Sequence, residues 1–145
     1  MANRALERRG LQEAIHMSAD TLFIILSSGE HEKIQLAGMI ASVAAVSERP
    51  VEVFVSMNAM FAFRKDRSDY QGGEFSKLMK DKNAPDAIEL FQQGRMLGDL
   101  KVYPCSMAMD ISGWEESELV EDLFEPPAGL TKFLSDAENG HLVTI

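Results

Sequence analysis

The chain has 145 residues, a length that suggests a single domain. Its 14 basic and 23 acidic side chains give a formal net charge of −9, which argues against nucleic-acid binding, since that depends on clustered Lys and Arg. Hydrophobic residues make up 46% and charged residues 26%, a balance typical of globular proteins. The single cysteine, Cys105, excludes an intrachain disulfide and a thiolate-rich zinc site. It is therefore an inert buried thiol, a nucleophile or half of an intermolecular disulfide.

Signals for export or membrane insertion are not visible in the sequence. No continuous apolar segment follows the arginines near the amino terminus. The longest apolar stretch, residues 37–46, is well short of the ~20 residues that a membrane-spanning helix needs. We therefore expect a cytoplasmic protein that does not bind membranes.

The first half of the chain predicts a helix and then a βαβ unit. Apolar side chains recur at roughly helical spacing over residues 3–17. Residues 21–27 (TLFIILS) form a short apolar run typical of a strand buried on both faces of a parallel sheet. A long helix is predicted over residues 31–48 and a second strand over residues 51–56. This order predicts a right-handed crossover between two parallel strands.

The second half opens with an apolar segment of no clear period, residues 57–63 (MNAMFAF). A polar connection over residues 64–85 follows, and its length is typical of functional or mobile segments. The remaining predicted elements are a helix over 86–97, a strand over 100–103, a helix beginning near 106, an acidic helix over 115–124, a helix over 130–137 and a strand over 141–145. This alternation predicts a three-layer α/β/α sandwich with a mainly parallel sheet.

Three segments follow predicted strands: residues 27–29, 57–63 and 105–110. In open α/β sheets, ligands bind outside the carboxyl ends of the strands. If the strands are parallel, these segments meet at one edge of the sheet. The sequence therefore predicts a site there, and its candidate pocket or anion-binding residues are Ser28, Gly29, His31, Met57, Phe61, Ser106 and Met107.

Cys105 lies where a reactive thiol could lie, between a predicted strand and a predicted helix start. A helix amino terminus offers free N–H groups and a positive dipole end, which favour a thiolate. A small buried side chain is the alternative, because free cysteines are often buried. Ser27, Ser28 and Ser106 could donate hydrogen bonds to an anion or serve as loop and cap residues. His31 could act as an acid/base partner of Cys105 or be an ordinary residue at a helix start.

Metal and cofactor motifs are incomplete or missing. The segment HEKIQ has Gln35 where a zinc-binding helix would have its second histidine. Met57, Met60, Met107 and Met109 lie near the predicted edge, where thioethers and a thiolate could bind Cu(I). Methionines also fill irregular cores and adaptable binding surfaces. We therefore expect neither a resident metal nor a cofactor.

Four segments in this order, SSGEHEK, IQLAGMIASVAAVSE, VEVFVSMNAMFAF and KVYPCSMAMDISG, resemble the DsrE/DsrF-like sulfur-relay proteins. The resemblance is closer to the DsrE-like branch often labelled peroxiredoxin-like, and it covers about residues 20–145. It implies an α/β/α sandwich with a mainly parallel five-stranded sheet, assembled as a trimer or hexamer. It also implies a cysteine that carries sulfane sulfur as a persulfide, a role that only Cys105 can take here. Residues 1–19 would then be a helical extension of a single domain, residues 20–145.

Two functions remain open after this comparison. In the first, the chain is a sulfur carrier or sulfurtransferase that loads Cys105 from a donor protein and passes the sulfur to an acceptor thiol. A single cysteine fits such a carrier and counts against an oxidoreductase with a C-x-x-C pair. In the second, the chain is a non-catalytic oligomeric binding or assembly module. Its Met- and Phe-lined pocket would then hold a small ligand or a partner peptide.

Overall fold

The computed structural model describes residues 3–9 and 21–145. Residues 3–9 form helix α1, whose side chains are exposed. The rest of the helix predicted over residues 3–17 lies outside the described residues. The division into an extension, residues 1–19, and a domain, residues 20–145, therefore stays a prediction.

Four strands form a parallel sheet in the order β3-β2-β1-β4. They are β1 (Leu22–Leu26), β2 (Val51–Val55), β3 (Leu100–Pro104) and β4 (His141–Thr144). Strand β1 is an uninterrupted apolar run, as expected for a parallel strand covered on both faces. Strands β2 and β3 are largely buried but each contains one charged residue, Glu52 and Lys101. Each predicted strand is thus present within one or two residues of its predicted ends.

The sheet has four strands in the described residues and not the five that the family resemblance implies. An irregular segment, residues 124–128, runs along the outer edge of β3 instead. It makes isolated parallel bridges at Val102 and Cys105. Pro126 and Pro127 lack backbone N–H donors, so this segment cannot form a continuous ladder.

Helices cover both faces of the sheet and complete the predicted three layers. They are α2 (His31–Val46), α3 (Glu74–Asp81), α4 (Ala87–Leu97), α5 (Ser106–Ser112) and α6 (Leu130–Asp136), with 3-10 helices at Met57–Phe63, Glu116–Glu118 and Ala137–Asn139. Helices α2 and α4 approach closely at Gly38, where an added Cβ would lie 3.0 Å from the Ala87 carbonyl oxygen.

Side-chain alternation along the strands divides the core in two. Residues such as Ile24 and Val53 face α2 and α4 and belong to the larger apolar cluster. Phe23 and Phe54 point to the opposite face. Their rings pack against Phe133 of α6, with centroids 5.6 and 5.3 Å away. The two faces of each strand therefore bury different layers of helices.

Two predicted segments differ from the structure. The polar connection over residues 64–85 contains α3 and is not a plain loop. The acidic helix predicted over residues 115–124 is wrong, because only the turn Glu116–Glu118 is helical. Neighbouring carboxylates repel one another on a helix, and this backbone bonds elsewhere, with the Val120 N–H donating to the Phe63 carbonyl.

No helix in the described part of the chain is long and apolar enough to cross a membrane.

Candidate functional site at the carboxyl edge of the sheet

The segments that follow β1, β2 and β3 meet at one edge, because the strands are parallel. Backbone hydrogen bonds continue past the strand ends. The Ser56 N–H donates to the Leu26 carbonyl at 3.0 Å, and the Cys105 N–H donates to the Val55 carbonyl at 2.9 Å. The predicted convergence of the three segments is therefore present in the structure.

Cys105 is the N-cap residue of α5, and its Sγ accepts a hydrogen bond from the Ala108 N–H at 3.5 Å. Its side chain is only 4% exposed and belongs to the smaller apolar cluster with Phe54 and Phe133. The thiol is thus oriented by the helix start but shielded from solvent.

Three of the predicted pocket residues lie at the surface around this edge. Met57 is 58% exposed, Phe61 is 60% exposed and Met107 is 51% exposed. The Phe61 ring stands edge-on to Trp114, with centroids 5.1 Å apart. These residues therefore form an apolar surface beside the buried thiol and do not enclose it.

Ser28 and Gly29 mainly shape the turn after β1. The Ser28 Oγ accepts a hydrogen bond from the Glu30 N–H at 3.1 Å. An added Cβ on Gly29 would come within 3.0 Å of the Asn58 carbonyl oxygen, so the turn packs tightly on the 3-10 helix. Gly29 and Phe61 also line a small cleft of about 110 Å³. Ser106 donates its backbone N–H to Ala128, which holds the start of α5 to the segment beside β3.

His31 is not brought to Cys105. It begins α2 on the other face of the sheet, where its Nδ1 lies 2.6 Å from the Ser76 Oγ. Its ring stacks on Tyr70, with centroids 4.5 Å apart and planes 10° from parallel. The contacts of His31 therefore connect α2 to α3 and to the preceding loop.

A polar cavity of about 260 Å³ adjoins His31 and was not predicted. Its other lining residues are Gln35, Asp69, Tyr70, Met79, Lys80, Asn83, Ala84, Pro85 and Asp86. The Tyr70 hydroxyl donates to the Asp86 carboxylate at 2.9 Å, and Lys80 pairs with Asp69 at 3.0 Å. Asp86 also caps α4 by accepting from the Ile88 N–H. An Asp before an apolar helix is a sequence signal for such a cap, but the stack of Tyr70 on His31 has no local signal.

Burial holds the pKa of His31 below its ordinary value of 6.5, and the charge of Lys80 acts in the same direction. Burial and the Asp86 carboxylate raise the pKa of the Tyr70 hydroxyl. Both groups are therefore uncharged near neutral pH. The His31–Tyr70 stack is accordingly a contact between two neutral rings.

We expect the free energy of unfolding to fall as the pH is lowered through about 6.5. Unfolded His31 then binds a proton that the folded ring resists, so the loss is at most about 1.4 kcal/mol per pH unit and levels off below the folded pKa. Urea unfolding at several pH values measures this slope. The variant His31→Gln should reduce it, whereas a change at the exposed His141 should not. An unchanged slope in His31→Gln would contradict the prediction.

Among the described residues, no group of three or more His, Cys, Asp and Glu side chains is arranged to hold a metal ion.

The second half of the chain matches the model of a known protein family. The model of the DsrE/DsrF/DrsH-like family matches residues 69–144, which is more than half of the chain. The chain belongs to this family. The family predicted from the sequence motifs is thus confirmed, and the match includes β3, Cys105 and α5.

Individual relatives extend this result. "Uncharacterized protein YrkE" of Bacillus subtilis (strain 168) is 26% identical to this DsrE-like chain over 148 residues, covering 81% of the chain and 91% of the relative. A solved structure, the protein of unknown function MTH1491 from Methanobacterium thermoautotrophicum, is similar with a TM-score of 0.59 and 15% identity. The match covers 87% of this chain and 99% of MTH1491. At that identity the likeness concerns the fold, and it confirms the predicted fold class.

Proposed function

We propose that this DsrE-like chain is a sulfur carrier that holds sulfane sulfur as a persulfide on Cys105. The observation that carries the proposal is the position of Cys105 at the end of β3 and at the N-cap of α5. There the Sγ already accepts the Ala108 N–H. The same N–H and the positive end of the helix would stabilise negative charge on the sulfur.

The proposed transfer conserves oxidation state. The Cys105 thiolate attacks the outer sulfur of a donor persulfide, and the S–S bond of the donor breaks as the new S–S bond forms. The donor leaves as a thiolate, and Cys105 carries the terminal S–H. In the second half of the cycle, an acceptor thiolate attacks that outer sulfur and releases the Cys105 thiolate.

Both the donor and the acceptor must be other molecules, because Cys105 is the only cysteine of the chain. We place this exchange in the cytoplasm, where thiols are kept reduced. Since the Cys105 side chain is only 4% exposed, the cycle requires local opening of the apolar cluster around it. The direct test is loading with a persulfide donor followed by intact mass measurement, in which the wild-type chain should gain one sulfur and Cys105→Ser should not.

A second candidate is a binding or assembly module with no covalent step. The burial of the thiol beside the exposed side chains of Met57, Phe61 and Met107 favours it. In this function the apolar surface holds a ligand or partner peptide, and Cys105 only fills the core beneath it. A thiol that stays unreactive towards both iodoacetamide and persulfide donors in the folded chain would support this module over the carrier.

We also propose that the chain assembles as a homo-oligomer, a trimer or a hexamer. Helix α2 supports this with an uncharged row of side chains that are about half to two-thirds exposed: Leu36, Met39, Val43 and Val46. Their spacing of three, four and three residues matches the seam by which one helix packs against another. Large exposed apolar patches usually mark an interaction surface.

Light scattering at micromolar concentration is expected to give three or six times the mass of one chain. Val43→Glu places a charge on the exposed row of α2 and should reduce this mass, because an unpaired charge is costly to bury at an interface. Ile111→Glu is the matched control, since Ile111 is 78% exposed but lies on α5. A mass of one chain for the wild type would contradict the proposed assembly.

A further inference from the structure

An exposed apolar surface adjoins Cys105 at the carboxyl edge of the sheet. We define it as the apolar ledge, formed by Met57, Phe61, Met107, Ile111 and Trp114. The first four side chains are between 51% and 78% exposed, and Trp114 is partly exposed. Apolar side chains exposed together at one place are typical of a docking surface.

Backbone register places the ledge next to the thiol. The Cys105 N–H bonds to the Val55 carbonyl, and Met57 and Met107 each lie two residues beyond this pair in the chain. Met107 and Ile111 are four residues apart and share one face of α5. Phe61 contacts Trp114 and thereby joins the 3-10 helix to the chain that follows α5.

Trp114 is held in place by a cation that lies over its ring. The Arg64 guanidinium carbon lies 4.2 Å from the centre of the Trp114 ring. Arg64 is itself fixed by Asp66, at 2.8 Å, and by Glu118, at 3.5 Å. A ring held this way loses little freedom when a partner packs on it, which favours binding.

Met57 adopts a left-handed backbone conformation with a φ of 52°. This conformation costs free energy for any residue except glycine. The Met57 side chain is 58% exposed, so burial within the chain offsets little of that cost. Strain of this kind is concentrated at functional sites, and here it presents a large flexible apolar side chain to the outside.

Three carboxylates lie next to Ile111 and Trp114 of the ledge in the chain. Asp110, Glu115 and Glu116 are exposed, and none of them makes an ion pair with another residue of the described part of the chain. The neighbouring cations Arg64 and Lys65 are already paired, Arg64 with Asp66 and Glu118 and Lys65 with Glu121. We define Asp110, Glu115 and Glu116 as the carboxylate rim. An approaching segment therefore meets apolar side chains next to negative charges.

We propose that the apolar ledge docks a basic segment of the protein that exchanges sulfur with Cys105. Large apolar side chains of the partner pack on Phe61 and Trp114, and its Lys or Arg side chains face the carboxylate rim. An acidic segment is excluded by like charges. The identity of the partner rests on the proposed carrier function of Cys105. The docking itself needs no reaction of the thiol.

The test uses Trp114, the one tryptophan of the chain, as a fluorescent reporter in the Cys105→Ser variant. The probes are two capped peptides of equal length and apolar content, KLKFSLK and ELEFSLE. The basic peptide should change the Trp114 emission saturably, with an affinity at least about tenfold above that of the acidic one at low salt, and added salt should reduce the difference. Equal affinities would overturn the proposal.

Two double variants distinguish the effect of the carboxylate rim on binding from the effect of the net charge of the chain. Asp110→Asn with Glu116→Gln should weaken binding of the basic peptide about tenfold. Glu48→Gln with Glu138→Gln removes the same charge at the opposite, amino edge of the sheet and should leave the affinity within about twofold. Equal losses in both double variants would overturn the docking site.

The variant Met57→Gly tests the apolar part of the ledge. Glycine adopts this backbone conformation without strain, so the melting temperature should be kept, whereas binding of the basic peptide should weaken severalfold.

Failure of the carrier function and failure of docking are distinguishable. Persulfide loading of Cys105 without any preference between the peptides overturns the docking surface and leaves the carrier intact. Selective peptide binding without persulfide loading supports the docking surface and overturns the carrier.

Discussion

Incubation with a small persulfide donor is expected to raise the intact mass of the wild-type chain by one sulfur, about 32 Da. The Cys105→Ser variant is expected to stay at its starting mass, because no other thiol is present. Mass spectrometry under non-reducing conditions measures the adduct. Treatment with a reductant should remove it, since a persulfide S–S bond is reducible.

Met107→Leu is the matched control for this experiment. It removes a neighbouring sulfur atom from an exposed position but leaves the thiol and should keep the full adduct. Prior alkylation of Cys105 should block loading. Because the side chain is 4% exposed, alkylation should be slower in the folded chain than in denaturant. An adduct of equal yield on Cys105→Ser, or none on the wild type, would contradict the carrier function.

Truncation of Phe63 to alanine is expected to lower the free energy of unfolding by about 3–5 kcal/mol. The ring is fully buried and packs against Phe91 of α4 and Phe124 beside β3, with centroids 5.4 and 5.6 Å away. Its removal leaves a cavity at the point where the 3-10 helix, α4 and the edge segment meet. Urea unfolding of the variant measures the change.

Phe61→Ala is the matched control, two residues earlier in the same 3-10 helix. The Phe61 ring is 60% exposed, so its loss should cost less than about 1 kcal/mol. Similar losses in the free energy of unfolding for the two variants would contradict the prediction that only the buried ring stabilises the fold. The expected difference means that Phe63 holds the 3-10 helix in the fold, whereas Phe61 is available to a partner.

Local sequence patterns were sufficient to predict the strands and helices around the site. The apolar run of β1 predicted a strand buried on both faces, and the order strand, helix, strand predicted that β1 and β2 are parallel. Cys105 was predicted between a strand and a helix start, where it lies. These predictions succeeded because the apolar periodicity of a strand or helix extends over only a few residues and indicates directly which side chains are buried.

Features that depend on distant partners were missed. The residues over 115–124 have a composition compatible with a helix, but their backbone bonds to residues 63–65. The edge of β3 is covered by residues 124–128, where two prolines prevent a regular fifth strand. His31 was expected near Cys105, yet its partners Tyr70 and Ser76 lie about 40 residues away in the chain and on the other face of the sheet.

The sequence by itself determined the parallel α/β architecture, the family and the place of Cys105 at a strand end in an acidic chain with one thiol. The architecture and the place of Cys105 follow from apolar periodicity, composition and the sequence of elements along the chain, which are local or additive. The family follows from the resemblance of four sequence segments to known proteins. Only the tertiary structure decided that the thiol is covered, that His31 belongs to a separate polar cavity and that Phe61 and Trp114 meet beside Cys105. Burial and side-chain contact depend on which distant segments pack together, and no short stretch of sequence contains that information.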